Sequence, residues 1–82
     1  MSEMQSAKGT KAHDPRYRDL IDILVEARKE KGLSQDALAK LLGRHQQFVS
    51  RYETSERRLD IVEFIDIARA LGLELAILAS IP

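Results

Sequence analysis

Cysteine is missing altogether from this 82-residue chain, which excludes disulfides, thiolate metal sites and cysteine nucleophiles and fits a reducing compartment. Stability must then come from packing. Long apolar runs are missing too: nothing approaches the roughly 20 consecutive apolar residues that a bilayer-spanning helix needs. The opening segment "MSEMQSAKGTKAHD" also lacks the apolar centre of a signal peptide. The expectation is a cytoplasmic protein with no membrane partner. Two histidines and scattered carboxylates offer no metal-ligand spacing, no Ser, His and acid arrangement suggests a nucleophile, and no glycine-rich loop is built to cradle a phosphate. The chain is therefore expected to hold no metal or cofactor and not to be an enzyme.

Excess charge of either sign is the last absence. Thirteen basic and thirteen acidic side chains cancel, whereas nucleic-acid-binding domains usually carry a basic surplus. The distribution changes that reading. Residues 1–39 hold seven of each sign, residues 40–58 hold Lys40, Arg44, Arg51, Arg57 and Arg58 against Glu53 and Glu56, and residues 59–82 hold Arg69 alone against four acids. A middle of net +3 precedes a final third of net −3, so the molecule is polar and only its basic face would meet a polyanion well.

What is present is enough for one small domain: 44% of the residues are apolar and 32% charged, a globular balance with one core. Residues 1–13 are rich in Ser, Lys, Gly and Thr without periodicity and read as a flexible tail. Structure is expected from 14 to 82. Asp14 and Pro15 make an N-cap and first-turn proline, and Tyr17, Leu20, Ile21, Leu24 and Ala27 recur at helical spacing until Gly32. Ser34 caps a second helix whose apolar stripe is Ala37, Leu38, Leu41 and Leu42, ended by Gly43. A third segment, from about His45 to Glu53, turns Val49 and Tyr52 inward and leaves Gln46, Gln47, Ser50 and Arg51 outward. His45 is a poor cap, and helices this short depend on tertiary packing.

After the polar "TSERRL", Asp60 with Glu63 three residues on reads as a capping box opening a fourth helix. Its core face is expected to be Ile61, Phe64, Ile65, Ala68 and Leu71, with Val62 and Ile67 off that face. The last segment, "LELAILASIP", suits a fifth helix by its Leu and Ala content, while its alternation also permits a strand. The fold class is all-α, a compact bundle of four to five short helices.

Residues Ser34 to Glu53, "SQDALAKLLGRHQQFVSRYE", resemble the helix-turn-helix of the phage repressor and Cro-like family, also called the XRE family. Ala39, Gly43 and Val49 stand at the family's three diagnostic positions, where helices approach closely, φ is positive and a branched side chain is buried. "ARKEKGLSQ" before the motif and "IARALGL" after it are similar to the family as well. The resemblance implies a lambda-repressor-like fold with the third helix in the major groove. It puts Gln46 and Gln47 among the base readers, with Ser50 and Arg51 one turn on. A glutamine amide accepts from adenine N6 and donates to N7, so A·T pairs are its natural target, whereas Arg51 suits guanine or a phosphate.

By the same resemblance Gln35, Arg44, Arg57 and Arg58 are phosphate contacts, and Arg28 with Glu53 is a charged pair linking the first helix to the end of the recognition helix. Two positions depart from the family. Ser55 replaces a common loop glycine, and His45 replaces a small hydroxyl cap. Phe48 is expected to pack against Tyr52, with contact to a thymine methyl as its alternative.

The implied function is sequence-specific binding of double-stranded DNA by a small regulator, a repressor working as a homodimer on a palindromic operator through a dimerisation segment at about 60–82. An antitoxin that autoregulates its operon and grips a toxin is the alternative within DNA binding. A helical protein-interaction module without DNA binding is the alternative outside it.

Overall fold

In the computed structural model, which describes residues 14–74, 76 and 81, four helices follow one another: α1 (Pro15–Glu30), α2 (Gln35–Leu42), α3 (Gln46–Glu53) and α4 (Ile61–Ala70). No strand occurs among the described residues. The all-α reading therefore stands. Most of the final segment lies outside the described residues, and with it the choice between helix and strand.

The helix starts follow from local chemistry. The Asp14 carboxylate accepts from the Arg16 amide at 2.9 Å with Pro15 in the first turn, and Ser34 Oγ accepts from the Ala37 amide at 3.0 Å. Each supplies a partner to an amide that the first turn leaves unpaired. At α4 the box is reciprocal: Asp60 Oδ1 accepts from the Glu63 amide at 2.7 Å, and Glu63 Oε1 accepts from the Asp60 amide at 3.0 Å. His45 precedes α3 without a side-chain cap, as an imidazole in that position should. Gly43 ends α2 at φ 68°, the left-handed conformation that lets the chain turn sharply into α3.

α2 packs chiefly on α3, with α4 against α2 and α1 against α3. Ile21, Leu24, Leu38, Val49, Tyr52 and Ile67 are fully buried where the four helices meet. Burial of this kind is worth about 1.5–3 kcal/mol for each large aliphatic side chain, which is what holds eight-residue helices that would melt alone.

Two expected faces are corrected. On α2, Leu41 is 62% exposed while Ala39 is buried. α2 is covered by both α3 and α4, so its buried face centres on Leu38 and Ala39, and Leu41 lies about 200° around the helix from Ala39. On α4, Ile61 is 67% exposed and Ile67 is fully buried. The working stripe is Phe64, Ile67, Ala68 and Leu71, a run at i, i+3, i+4 and i+7. Ile61, in the first turn, instead lines a surface groove together with Tyr17. Val62 is 62% exposed, as its position off the stripe implied.

Candidate nucleic-acid interface

α3 is positioned from its two ends. At its C-terminal end Glu53 is 8% exposed and meets Arg28, itself 9% exposed, through two parallel hydrogen bonds: Nε to Oε2 at 2.6 Å and Nη2 to Oε1 at 3.0 Å. The remaining donors are used as well. Arg28 Nη1 donates to the Leu33 carbonyl at 2.8 Å, and Gln35 Nε2 donates to Glu53 Oε1 at 2.8 Å. One cluster thus ties α1, the loop before α2, the first residue of α2 and the last residue of α3. The hydrogen bond to Glu53 holds the Arg28 guanidinium more firmly charged than usual. Burial pushes the Tyr52 phenol up from its ordinary value in the same layer.

The loop after α3 is held by α1. Ser55 stands at φ 67°, in the region that favours glycine, which costs a non-glycine residue on the order of 1–3 kcal/mol. Three hydrogen bonds offset that strain: Ser55 N to the Tyr52 carbonyl at 3.1 Å, and Arg18 Nη1 both to Ser55 Oγ at 2.9 Å and to the Glu53 carbonyl at 2.8 Å. The replaced glycine therefore leaves its backbone conformation behind.

The N-terminal end of α3 is open. Gln46, Gln47 and Arg51 are exposed, and their side chains make no hydrogen bond or ion pair within the described residues. Ser50 is half-buried. Arg44, His45, Gln47, Phe48, Arg51 and Arg57 line an open cleft of about 320 Å³ at this end. Three guanidiniums from the turn, the helix and the following loop converge there. Phe48 packs edge-on against Tyr52, ring centroids 5.6 Å apart, and the Arg44 and Arg57 guanidiniums lie 4.0 Å and 5.1 Å from its ring centre. Such contacts orient a cation without neutralising it.

Behind this cleft stands Glu63 of α4. Its carboxylate accepts from Arg57 Nη1 and Nη2, both at 2.8 Å, and from Arg44 Nη2 at 3.0 Å. The Arg57 guanidinium and the Asp60 amide hold the Glu63 carboxyl down at about 2.

The expected phosphate contacts do not form one row. Arg44 and Arg57 share the cleft; Arg58 lies 4.2 Å over the Tyr17 ring on the α1 side, and Gln35 is turned toward Glu53. Sequence reasoning saw Glu63 as a helix cap only, and missed Arg18. The "D-x-x-E" box was legible, but nothing in the sequence spacing shows a carboxylate reaching back to Arg57 and across to Arg44.

Residues 24–78 match the helix-turn-helix family. An XRE-family like protein from Pseudomonas syringae pv. tomato str. DC3000 is 41% identical, with a TM-score of 0.77 over 98% of this chain and 92% of that one. The chain belongs to the XRE-type helix-turn-helix family. Among curated proteins, none matches. For an XRE-type chain the general function is that of a DNA-binding transcriptional regulator, and no helix of the described residues is long and apolar enough to cross a membrane.

Proposed function

We propose that the chain is a sequence-specific, double-stranded DNA-binding regulator, a repressor that works as a two-fold dimer on a palindromic operator. The observation that carries this is the open end of α3, where Gln46, Gln47 and Arg51 stand exposed with uncommitted side chains beside a cleft lined by Arg44 and Arg57. Gln46 and Gln47 read base edges in the major groove, adenine by preference, with Ser50 and Arg51 following on the same helix. Arg44, Arg57, Arg58 and Gln35 hold the sugar–phosphate backbone around it. Selection of bound duplexes from a random pool, followed by a salt series on the winner, tests this. A shared half-site and an affinity that falls steeply with salt are expected; no enrichment and a flat salt response would sink it.

The dimer forms through the C-terminal third, about 60–82, where Ile61 and Val62 expose apolar surface. Two half-sites about 34 Å apart then double the information that a single eight-residue helix can read. Sedimentation of the full chain on a palindromic duplex should show two protomers per duplex. A single protomer at saturation would remove the two-fold arrangement.

An antitoxin that autoregulates is the second reading. It is favoured by the apolar groove of about 270 Å³ between α1 and α4, lined by Tyr17, Leu20, Leu59, Ile61 and Phe64 among others, since exposed apolar surface of this kind marks interaction sites. A helical interaction module without DNA binding would use the same groove, and a protein-partner affinity that persists as salt rises, with no duplex binding, would favour it.

A further inference from the structure

Glu63 spends its charge in an unusual place for a DNA-facing surface. It does not line the cleft formed by Arg44, Gln47, Phe48, Arg51 and Arg57; it lies on the other side of Arg44 and Phe48, in a small recess with Leu42, Asp66 and Ile67. Its side chain is only 13% exposed, against 39% for Arg44 and 41% for Arg57. The carboxylate therefore meets a ligand in the cleft only through the two arginines it holds. Those arginines come from separate segments, the turn before α3 and the loop after it, and both rest against the Phe48 ring. Two like charges gathered on one ring would repel and spread without a shared counter-charge. One carboxylate, accepting three hydrogen bonds from the two guanidiniums and a fourth from the Asp60 amide, fixes both and offsets one of their two charges.

We propose that Glu63 is a positioning residue for DNA discrimination: it locks Arg44 and Arg57 into one geometry and halves their net charge, so that the cleft suits a phosphate in register and attracts misplaced phosphates weakly. This rests on the DNA-binding reading above. Non-specific affinity grows with every free cation that faces the backbone, whatever the sequence. Arginines held in a fixed fork instead reward a phosphate at one place. Glu63 thus lowers the floor of non-specific binding more than it lowers cognate binding, and the ratio between the two is what a regulator must keep high against genomic competitors.

The test is Glu63→Gln, which keeps the shape and the ability to accept from the Asp60 amide, so the capping box survives. Affinity for a scrambled duplex is expected to rise about threefold, the scale of one unit charge near a phosphate in a solvent-like dielectric. The slope of log affinity against log salt should steepen by up to about 0.9. The operator-to-scrambled ratio should fall. In a background carrying Arg44→Gln and Arg57→Gln, the same substitution still removes one negative charge, but it should leave the operator-to-scrambled ratio unchanged. An unchanged slope and ratio in Glu63→Gln, or an undiminished fall of the ratio in the double-arginine background, would overturn the proposal. Should Glu63→Gln not fold, Glu63→Asp replaces it, keeping the charge and shortening the reach: a wild-type slope with a lowered ratio supports the lock, and an unchanged ratio overturns it. A wild-type protein that binds no duplex even at low salt would remove the DNA-binding reading and this inference with it. A salt-dependent wild type with an unaffected Glu63→Gln would remove this inference alone.

Discussion

The two ends of α3 each meet a carboxylate that gathers donors from elsewhere in the chain, and the two differ mainly in burial. Glu53 closes the C-terminal end with both partners under a tenth exposed; Glu63 backs the N-terminal end with its arginines two-fifths exposed. The same chemistry serves different purposes. A buried pair that loses one member leaves the other desolvated, so it is fixed for the life of the fold. A pair at the surface keeps its cations within reach of solvent and of a ligand, and contributes little to stability. One end anchors the helix, and the other end is free to work.

Breaking the anchored end should have the largest effect. Arg28→Ala leaves Glu53 buried with only the Gln35 amide, and is expected to cost about 3–5 kcal/mol of folding free energy in urea denaturation. A loss below about 1 kcal/mol would mean that Glu53 is less desolvated than its burial indicates. At the open end the outcome should invert. Gln46→Ala and Gln47→Ala are each expected to reduce discrimination at particular base pairs by about 1–3 kcal/mol while the melting curve stays in place. If either variant bound the operator and a scrambled duplex in the wild-type ratio, that glutamine would not be reading bases.

Acid sharpens the contrast further. Glu63 titrates at about 2 in the folded chain against an ordinary value of 4.5, a depressed carboxyl. Its contribution to stability is thus fully present above about 4.5 and is lost as the pH falls toward 2. Asp14, held down at about 2 by Arg16 from an ordinary 3.8, adds to the lower part of that window. Stability curves of the wild type and Glu63→Gln should converge as pH drops through that range; parallel curves would mean that Glu63 is not ionically held.

The smallest change is expected at Ser55. Ser55→Gly relieves the left-handed strain but removes the acceptor for Arg18, and the two should nearly cancel, within about 1 kcal/mol of wild type. A thermal melt showing a loss well beyond that would make the Arg18 contact the dominant one.

Much of this arrangement is legible in the sequence. Caps at Asp14, Ser34 and Asp60, the turn at Gly43, and the inward pair Val49 and Tyr52 follow from local rules that operate over three or four residues. The faces of α2 and α4 were misassigned at Leu41, Ile61 and Ile67 because a helix with two neighbours buries a wider and rotated stripe than periodicity alone suggests. Periodicity measures a helix, whereas burial depends on what lies beside it. The Arg28 and Glu53 pair came from the resemblance and not from spacing, since 25 residues separate them. Glu63 reaching Arg44 across 19 residues was beyond either. Ionic contacts of that range leave no pattern in a single sequence.

The anchoring of α3 also sets a mechanical tolerance. Eight residues span about 12 Å, so a tilt of about 5° pivoting at the Glu53 end would carry the Gln46 end sideways by about 1 Å. Hydrogen bonds to base edges fade over about half that distance. Arg28, which lies buried on α1 against Glu53, is therefore part of the instrument's alignment. Substitutions around it that are mild enough to leave the fold standing should still blur which sequence the far end selects.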